Sequence, residues 1–156
     1  TSLSQLLDLN TLSINDYYPK ISNGKDIEGN WLVDIDKMNK EINVSNFSNT
    51  IFEGHTSHFL DGLDAVIVLR CHPDILKERL GSRNYKEEKL RENMEAEALN
   101  IITQEAVNEY GEKMVHELDT TSSKLNESKT LLESIINGNI KLNKRIDYSE
   151  TIMEWY

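Results

Sequence analysis

The chain has 156 residues, of which 38% are hydrophobic, and this is enough for one substantial core and favours a single domain. Seventeen basic and 27 acidic side chains give a formal net charge of -10, which argues against sequence-independent binding to DNA or RNA and favours a basic protein partner. A single cysteine excludes an internal disulfide framework, and no apolar run approaches the roughly 18 residues of a membrane span, so we expect a cytoplasmic protein, or a nuclear one in a eukaryote.

Turn-forming residues dominate the first part of the chain. Residues 1–7 have the leucine spacing of a short helix. Residues 10–31 contain Asn, Asp, Ser, Gly and Pro in quick succession, which predicts a turn-rich or mobile insertion with short helical pieces. The pattern of residues 34–42 then predicts a helix.

Two short apolar runs predict strands. TIFE at 50–53 is β-prone, and DAVIVLR at 64–70 contains five consecutive apolar residues, which suits a strand covered on both faces. Pro73 fits the first turn of a helix, where its missing N–H would have no intrahelical partner. The second strand should therefore lead directly into a helix.

Helices and one further strand are predicted for the second half. Apolar spacing through residues 86–110 predicts one long amphipathic helix. A short strand near 114–118 should be followed by a polar turn and by a helix ending at Asn137-Gly138, while residues 139–156 show no clear pattern. Strands that alternate with such helices predict an α/β fold with parallel strands and helices on both faces of the sheet.

Three residues suited to a phosphate site lie at the carboxyl end of the strand predicted at 50–53. Glu53 can hold or polarise a Mg²⁺-bound water, Gly54 lets the backbone approach a phosphate, and His55 is a titratable donor. Open α/β sheets bind ligands at the carboxyl ends of their strands. The structural alternative is that Glu53 caps the next turn and His55 is a hydrogen-bonded, partly buried histidine.

Four arginines surround the second strand and the helices after it, and they are Arg70, Arg79, Arg83 and Arg91. Guanidinium groups bind phosphate oxygens bidentately, which favours a phosphate site. The alternative is that these arginines pair with glutamates on solvated helix surfaces, where such pairs contribute little stability. A zinc site is a weaker third hypothesis because matching paired ligands are missing; it would use His55, His58, His72, His116 and Cys71.

Three segments together resemble the adenylate kinase isoenzyme six family of archaea and eukaryotic nuclei. They are EGHTSHFL at 53–60, VLRCHPDILKERLGSRNYKEEKLRENMEAE at 68–97 and HELDTT at 116–121. The resemblance implies a P-loop kinase-like parallel sheet flanked by helices, a three-layer α/β/α fold, in a single nucleoside monophosphate kinase-like domain spanning 1–156. It also implies a monophosphate-binding arm within 8–33 and a lid within 82–92 that closes over ATP.

The resemblance also implies roles for individual residues. The Walker B position would be Glu53, which would hold Mg²⁺ together with Ser2. The residues near the reacting phosphates would be His55, Arg83 and Arg91, the last of these being the arginine that closes over the site. Binding of ATP would use Thr1, Ser2, Arg79, Arg83, Asp119, Thr120 and Thr121, with the last three bordering the adenine.

The phosphate-binding loop of that family, G-x-x-x-x-G-K-[ST], does not occur in these residues. Thr1 and Ser2 resemble the residues after its lysine, so the first strand and the loop are absent from the sequence. We expect that the sequence omits them rather than that the natural protein lacks them. A chain truly without the loop would lose the amides and the lysine that hold the phosphates, and adenylate kinase activity with them.

The expected activity is phosphoryl transfer from ATP to AMP with Mg²⁺, giving two ADP, together with slow ATP hydrolysis. The resemblance also implies an alternative, in which the protein is an ATP-dependent assembly factor of the small ribosomal subunit that binds a basic ribosomal protein. The acidic charge suits such a partner. The two functions are compatible, since an ATPase cycle could release the partner.

Overall fold

The structure is a computed structural model that describes residues 7–82, 85–122, 124–139 and 145–155. The chain divides into two compact units, Thr1–Asp64 and Ala65–Tyr156. Each unit contains its own pair of parallel strands. The single nucleoside monophosphate kinase-like domain inferred from the resemblance stays a prediction.

The first unit combines a parallel strand pair with an antiparallel hairpin. Its strands and helices in chain order are β1 (Asn10–Ser13), α1 (Tyr18–Ile21), β2 (Ser22–Lys25), β3 (Trp31–Val33), α2 (Ile35–Glu41) and β4 (Thr50–Glu53), with 3₁₀ turns at Ile14–Tyr17, Val44–Asn46 and Ser57–Phe59. Strands β1 and β4 run parallel, whereas β2 and β3 form the hairpin. Helix α2 begins where the Asp34 carboxylate accepts a hydrogen bond from the Lys37 amide at 3.0 Å.

The core of the first unit lies between its short helices and the loop after β4. Five fully buried side chains form it, and they are Ile14, Ile21, Met38, Ile42 and Leu60. They come from the turn after β1, from α1, from α2 and its end, and from the loop after β4. The residues that follow both parallel strands are therefore held by one apolar cluster.

The second unit places helices around a second parallel pair. Its elements are β5 (Val66–Arg70), α3 (Pro73–Gly81), α4 (Glu87–Ala98), α5 (Ile101–Tyr110), β6 (Val115–Asp119), α6 (Leu125–Ile136) and α7 (Ser149–Met153). Strands β5 and β6 run parallel, with Arg70 opposite Asp119. Alternate residues of β5, Val66 and Val68, are buried together with the first four residues of β6, so this pair forms the centre of the unit.

Most of the predicted elements are confirmed. The strands at 50–53, 64–70 and 114–118, the helix at 34–42 and the helix starting at Pro73 all occur within one or two residues of the expected bounds. The α/β class is likewise confirmed by parallel strands that alternate with helices. Helix α6 ends before Asn137 and Gly138, and Gly138 has a φ of 72°, which is the left-handed conformation expected after a helix.

One prediction is incomplete, one is wrong and two concern the chain ends. Residues 10–31 contain short helical pieces, but also β1, β2 and the start of β3. The single helix over 86–110 is divided into α4 and α5 at Asn100, whose φ of 61° no α-helix accommodates. The helix predicted for 1–7 lies outside the described residues except for Leu7, and the tail forms the short helix α7.

Within the described ranges, no helix has both the length and the apolar character needed to cross a membrane.

Candidate functional site

Glu53, Gly54 and His55 lie where the first parallel pair ends. Glu53 is the last residue of β4 and is opposite Ser13 of β1, so the carboxyl ends of the two strands meet there. Glu53 and His55 are exposed. The structural alternative of a partly buried His55 therefore does not apply, and both side chains face solvent at a strand edge of the kind that binds ligands.

Close packing explains the glycine between them. Gly54 has a φ of 147°, and a Cβ added to it would lie 3.0 Å from the Cβ of Ile14. A larger residue would therefore meet both backbone strain and a clash with the core. From the sequence, Gly54 is expected to let the backbone approach a phosphate, whereas the structure supplies a packing reason for this glycine.

Hydrogen bonds fix the loop that follows. The Ser57 amide and hydroxyl donate to the Gly54 carbonyl at 3.2 and 2.9 Å. The Asn39 amide group on α2 donates to the Phe59 carbonyl at 3.0 Å and accepts from the Asp61 amide at 2.8 Å. These hydrogen bonds therefore hold in place the loop that follows Glu53 and His55.

The carboxylate of Glu53 suits Mg²⁺. This hard cation prefers oxygen ligands, and it is typically bound by one or two carboxylates plus water and substrate phosphates. No group of three or more His, Cys, Asp or Glu side chains that could hold a metal occurs in the part of the chain that the structure describes. Glu53 would therefore act with phosphate and water oxygens; the other predicted ligand, Ser2, lies outside the described residues, as does Thr1.

The second unit brings together Arg79 and the residues after β6. Arg79 Nη2 donates to the Thr120 carbonyl at 2.8 Å and to the Thr121 carbonyl at 3.1 Å. Its Nη1 lies 3.4 Å from the Thr120 hydroxyl and 3.3 Å from the Cys71 sulfur. The guanidinium of Arg79 is thus exposed but held in one orientation beside the segment predicted to border adenine.

The segment 119–121, here named the base loop, is also tied to β5. The Thr120 amide donates to the Arg70 carbonyl at 2.8 Å, and the His72 amide donates to the Thr121 hydroxyl at 2.8 Å. The Thr121 amide donates to Asp119 at 2.8 Å. The carboxyl ends of β5 and β6 are therefore joined by hydrogen bonds.

Asp119 is ionised at neutral pH. Its partial burial acts to raise the pKa of its carboxyl group, but hydrogen bonds from Thr121 and Tyr148 outweigh this and hold the pKa below its ordinary value. Burial raises the pKa of the neighbouring Cys71 thiol, although Arg79 opposes the shift. The base loop therefore presents a fixed negative charge beside the positive Arg79.

Arg70 is a structural residue and not the phosphate ligand that its sequence context favoured. Its side chain is 1% exposed and forms ion pairs with Glu97, at 2.7 Å from Nε, and with Glu117. The Glu117 carboxylate also accepts a hydrogen bond from the Thr103 hydroxyl at 2.6 Å. Attraction to both glutamates outweighs the burial of Arg70, so its pKa is raised and the guanidinium stays charged.

The predicted lid residues occupy two different situations. Arg83 lies outside the described residues. Arg91 is on α4, where its Nε donates to Glu95 at 2.8 Å with both side chains substantially exposed. This pair resembles the solvated glutamate pairing that was the alternative interpretation of the arginines, and such exposed pairs are weak.

One residue beside the base loop was missed altogether. Tyr148 lies in the tail without a recognisable pattern, yet its hydroxyl is 3.3 Å from that of Thr121. Only a fold that returns the tail to the ends of the strands brings the two together, so no local sequence signal could have identified it.

Comparison with known proteins gives consistent matches. Residues 3–100 match the model of a family described as "AAA domain". The chain is 41% identical to a protein of Archaeoglobus fulgidus over 82% of this chain and 67% of the relative. It is 33% identical to one of Pyrococcus abyssi, over 97% of this chain and 84% of the relative, and 34% identical to one of Thermococcus onnurineus, over 95% and 82%. All three relatives are named "Putative adenylate kinase".

Proposed function

Because the chain belongs to this family of adenylate kinase-like proteins and shares its α/β P-loop kinase-like fold, we propose that it transfers a phosphoryl group from ATP to AMP. The products are two ADP. The observation that carries the proposal is the fixed, solvent-facing guanidinium of Arg79 beside the base loop, at the carboxyl ends of β5 and β6. Parallel sheets bind nucleotides at this edge.

The residues would divide the work as the chemistry requires. Phosphoryl transfer needs little covalent help, so catalysis comes from alignment and from neutralising charge on the transferred group. Arg79 and the base loop would hold the adenine end of ATP, and Arg83 and Arg91 would neutralise its phosphates. His55 is a titratable donor that suits a phosphate oxygen.

Mg²⁺ would be held through Glu53 and Ser2. When bound, it supplies positive charge to the phosphate oxygens. Glu53 is suited to this role because it ends β4, is exposed and is followed by a loop that hydrogen bonds hold in place.

A Glu53→Gln substitution in the intact gene product is expected to weaken the apparent affinity for Mg²⁺ about 10- to 100-fold, since it removes the charge that positions the ion. The measurement is the initial rate of ADP formation from ATP and AMP across a Mg²⁺ titration. Glu41→Gln is the matched control, because Glu41 forms an exposed pair with Lys20 at 3.4 Å and is not at the strand edge. An identical Mg²⁺ dependence in both variants would refute the role of Glu53.

The family resemblance implies a second function, and the charge of -10 is compatible with it. A strongly acidic surface attracts basic partners, and we propose that the protein also binds a basic protein of the small ribosomal subunit in an ATP-dependent manner. Saturable one-to-one binding that weakens when ATP is added would support this function. If binding disappears at moderate salt both with and without ATP, the interaction is non-specific charge attraction and the second function is refuted.

A further inference from the structure

The segment 145–151, named here the strap, is anchored along β6. Arg145 Nη1 donates to the Val115 carbonyl at 3.0 Å, at the start of the strand. The Ile146 amide donates to the Glu117 carboxylate at 2.6 Å, and the Ile146 carbonyl accepts from Arg70 Nη1 at 3.0 Å. The strap is therefore hydrogen-bonded to the buried ion network and forms part of the packed unit.

The strap then reaches the base loop through a single aromatic side chain. The Tyr148 hydroxyl lies 3.3 Å from the Thr121 hydroxyl, within hydrogen-bonding distance. The ring of Tyr148 contacts the guanidinium of Arg70, 5.4 Å from its centre, and meets the His72 ring edge-on at 5.2 Å. Its orientation is thus set by groups that are themselves fixed.

A second contact holds the end of the strap. Thr151 is buried, and its hydroxyl lies 3.4 Å from His72 Nε2. The His72 amide donates to the Thr121 hydroxyl. Tyr148 therefore contacts Thr121 directly, and Thr151 contacts it through His72.

On this basis, and resting on the proposed function, we infer that the strap positions the base loop for the adenine of ATP, with Tyr148 as its positioning residue. Arg79 holds the carbonyls of Thr120 and Thr121 from α3, while Tyr148 holds the Thr121 hydroxyl from the strap. The loop is held by two elements that are distant in sequence. Loss of the Tyr148 hydroxyl should loosen it without disturbing the core.

A role in positioning differs measurably from a purely structural one. If the strap acts on the base loop, loss of the hydroxyl weakens the binding of ATP and leaves the binding of AMP unchanged, because AMP is expected to bind through the arm at 8–33. If the strap only stabilises the unit, the loss lowers the melting temperature and affects both nucleotides equally or neither.

The test compares Tyr148→Phe with Tyr110→Phe in the full gene product. Tyr110 is the last residue of α5 and precedes β6, so in the chain it comes before the amino end of that strand and not after its carboxyl end. We expect Tyr148→Phe to raise the Kd for ATP about three- to tenfold, which corresponds to the loss of one hydrogen bond, with an unchanged Kd for AMP and faster amide exchange at His72 and Thr121. The control should match the wild type in all three.

The outcomes separate the two claims. A wild-type protein that binds AMP and ATP, with a Tyr148→Phe variant that binds ATP equally well, overturns the inference and leaves the proposed function intact. A wild-type protein that binds neither nucleotide overturns both.

Discussion

Replacing Arg91 by alanine is expected to lower kcat about a thousandfold, the lower end of what an arginine on the transferred phosphoryl group contributes. The resemblance to the adenylate kinase isoenzyme six family implies that Arg91 is the arginine that closes over the site. In the structure Arg91 is exposed on α4 and paired with Glu95 one helical turn away. A solvated pair of this kind is weak, so the Arg91–Glu95 pair itself opposes a move of Arg91 toward a phosphate only slightly.

The control for this prediction is Lys129→Ala. Lys129 forms a similar exposed pair with Glu133 on α6, at 3.7 Å, and has no proposed part in the site. Steady-state rates of ADP formation and urea unfolding should be measured for both variants. Both should keep wild-type stability, and a kcat within threefold of the wild type for Arg91→Ala, about 0.7 kcal/mol of barrier, would refute the assignment.

Replacing Arg70 by methionine is expected to lower the free energy of unfolding by about 3–5 kcal/mol. The side chain is 1% exposed, and its removal leaves the carboxylates of Glu97 and Glu117 in the interior without their cation. The Ile146 carbonyl loses a donor as well. Urea unfolding monitored by circular dichroism measures the loss.

Arg91→Ala again supplies the comparison. The Arg70–Glu97 and Arg91–Glu95 contacts are nearly the same length, 2.7 and 2.8 Å, and differ mainly in burial. If burial sets the cost, the exposed pair should contribute less than about 1 kcal/mol. Equal losses in the two variants would contradict the account of Arg70 as a buried structural ion.

Local sequence patterns predicted a secondary-structure element correctly where the residues were compatible with only one type of element. Five apolar residues in succession before a helix-starting proline predicted β5 and α3, and an Asn-Gly pair predicted the end of α6. Strand β1 was missed because its sequence, NTLS, is mostly polar, and only pairing with β4 makes it a strand. The break at Asn100 depends on a single left-handed residue inside an otherwise regular helical pattern.

The candidate site was predictable in its parts but not in its connections. Glu53 and Arg79 stood out because their residue types suit phosphates and their positions follow predicted strands. Arg70 looked the same in sequence, since its partners lie 27 and 47 residues away and its burial is decided by the packing of β5 and β6. Tyr148 is 27 residues from Thr121, so its contact with the base loop is likewise a property of the fold.

The most direct test of the central claim is the nucleotide balance of the purified, intact gene product with ATP, AMP and Mg²⁺. Chromatography of the nucleotides, together with a phosphate assay, follows each species over time. The proposed transfer predicts that ADP accumulates at twice the rate of ATP loss, with AMP consumed in step and little free phosphate. One ADP and one phosphate for each ATP, with AMP untouched, would contradict it and leave only hydrolysis.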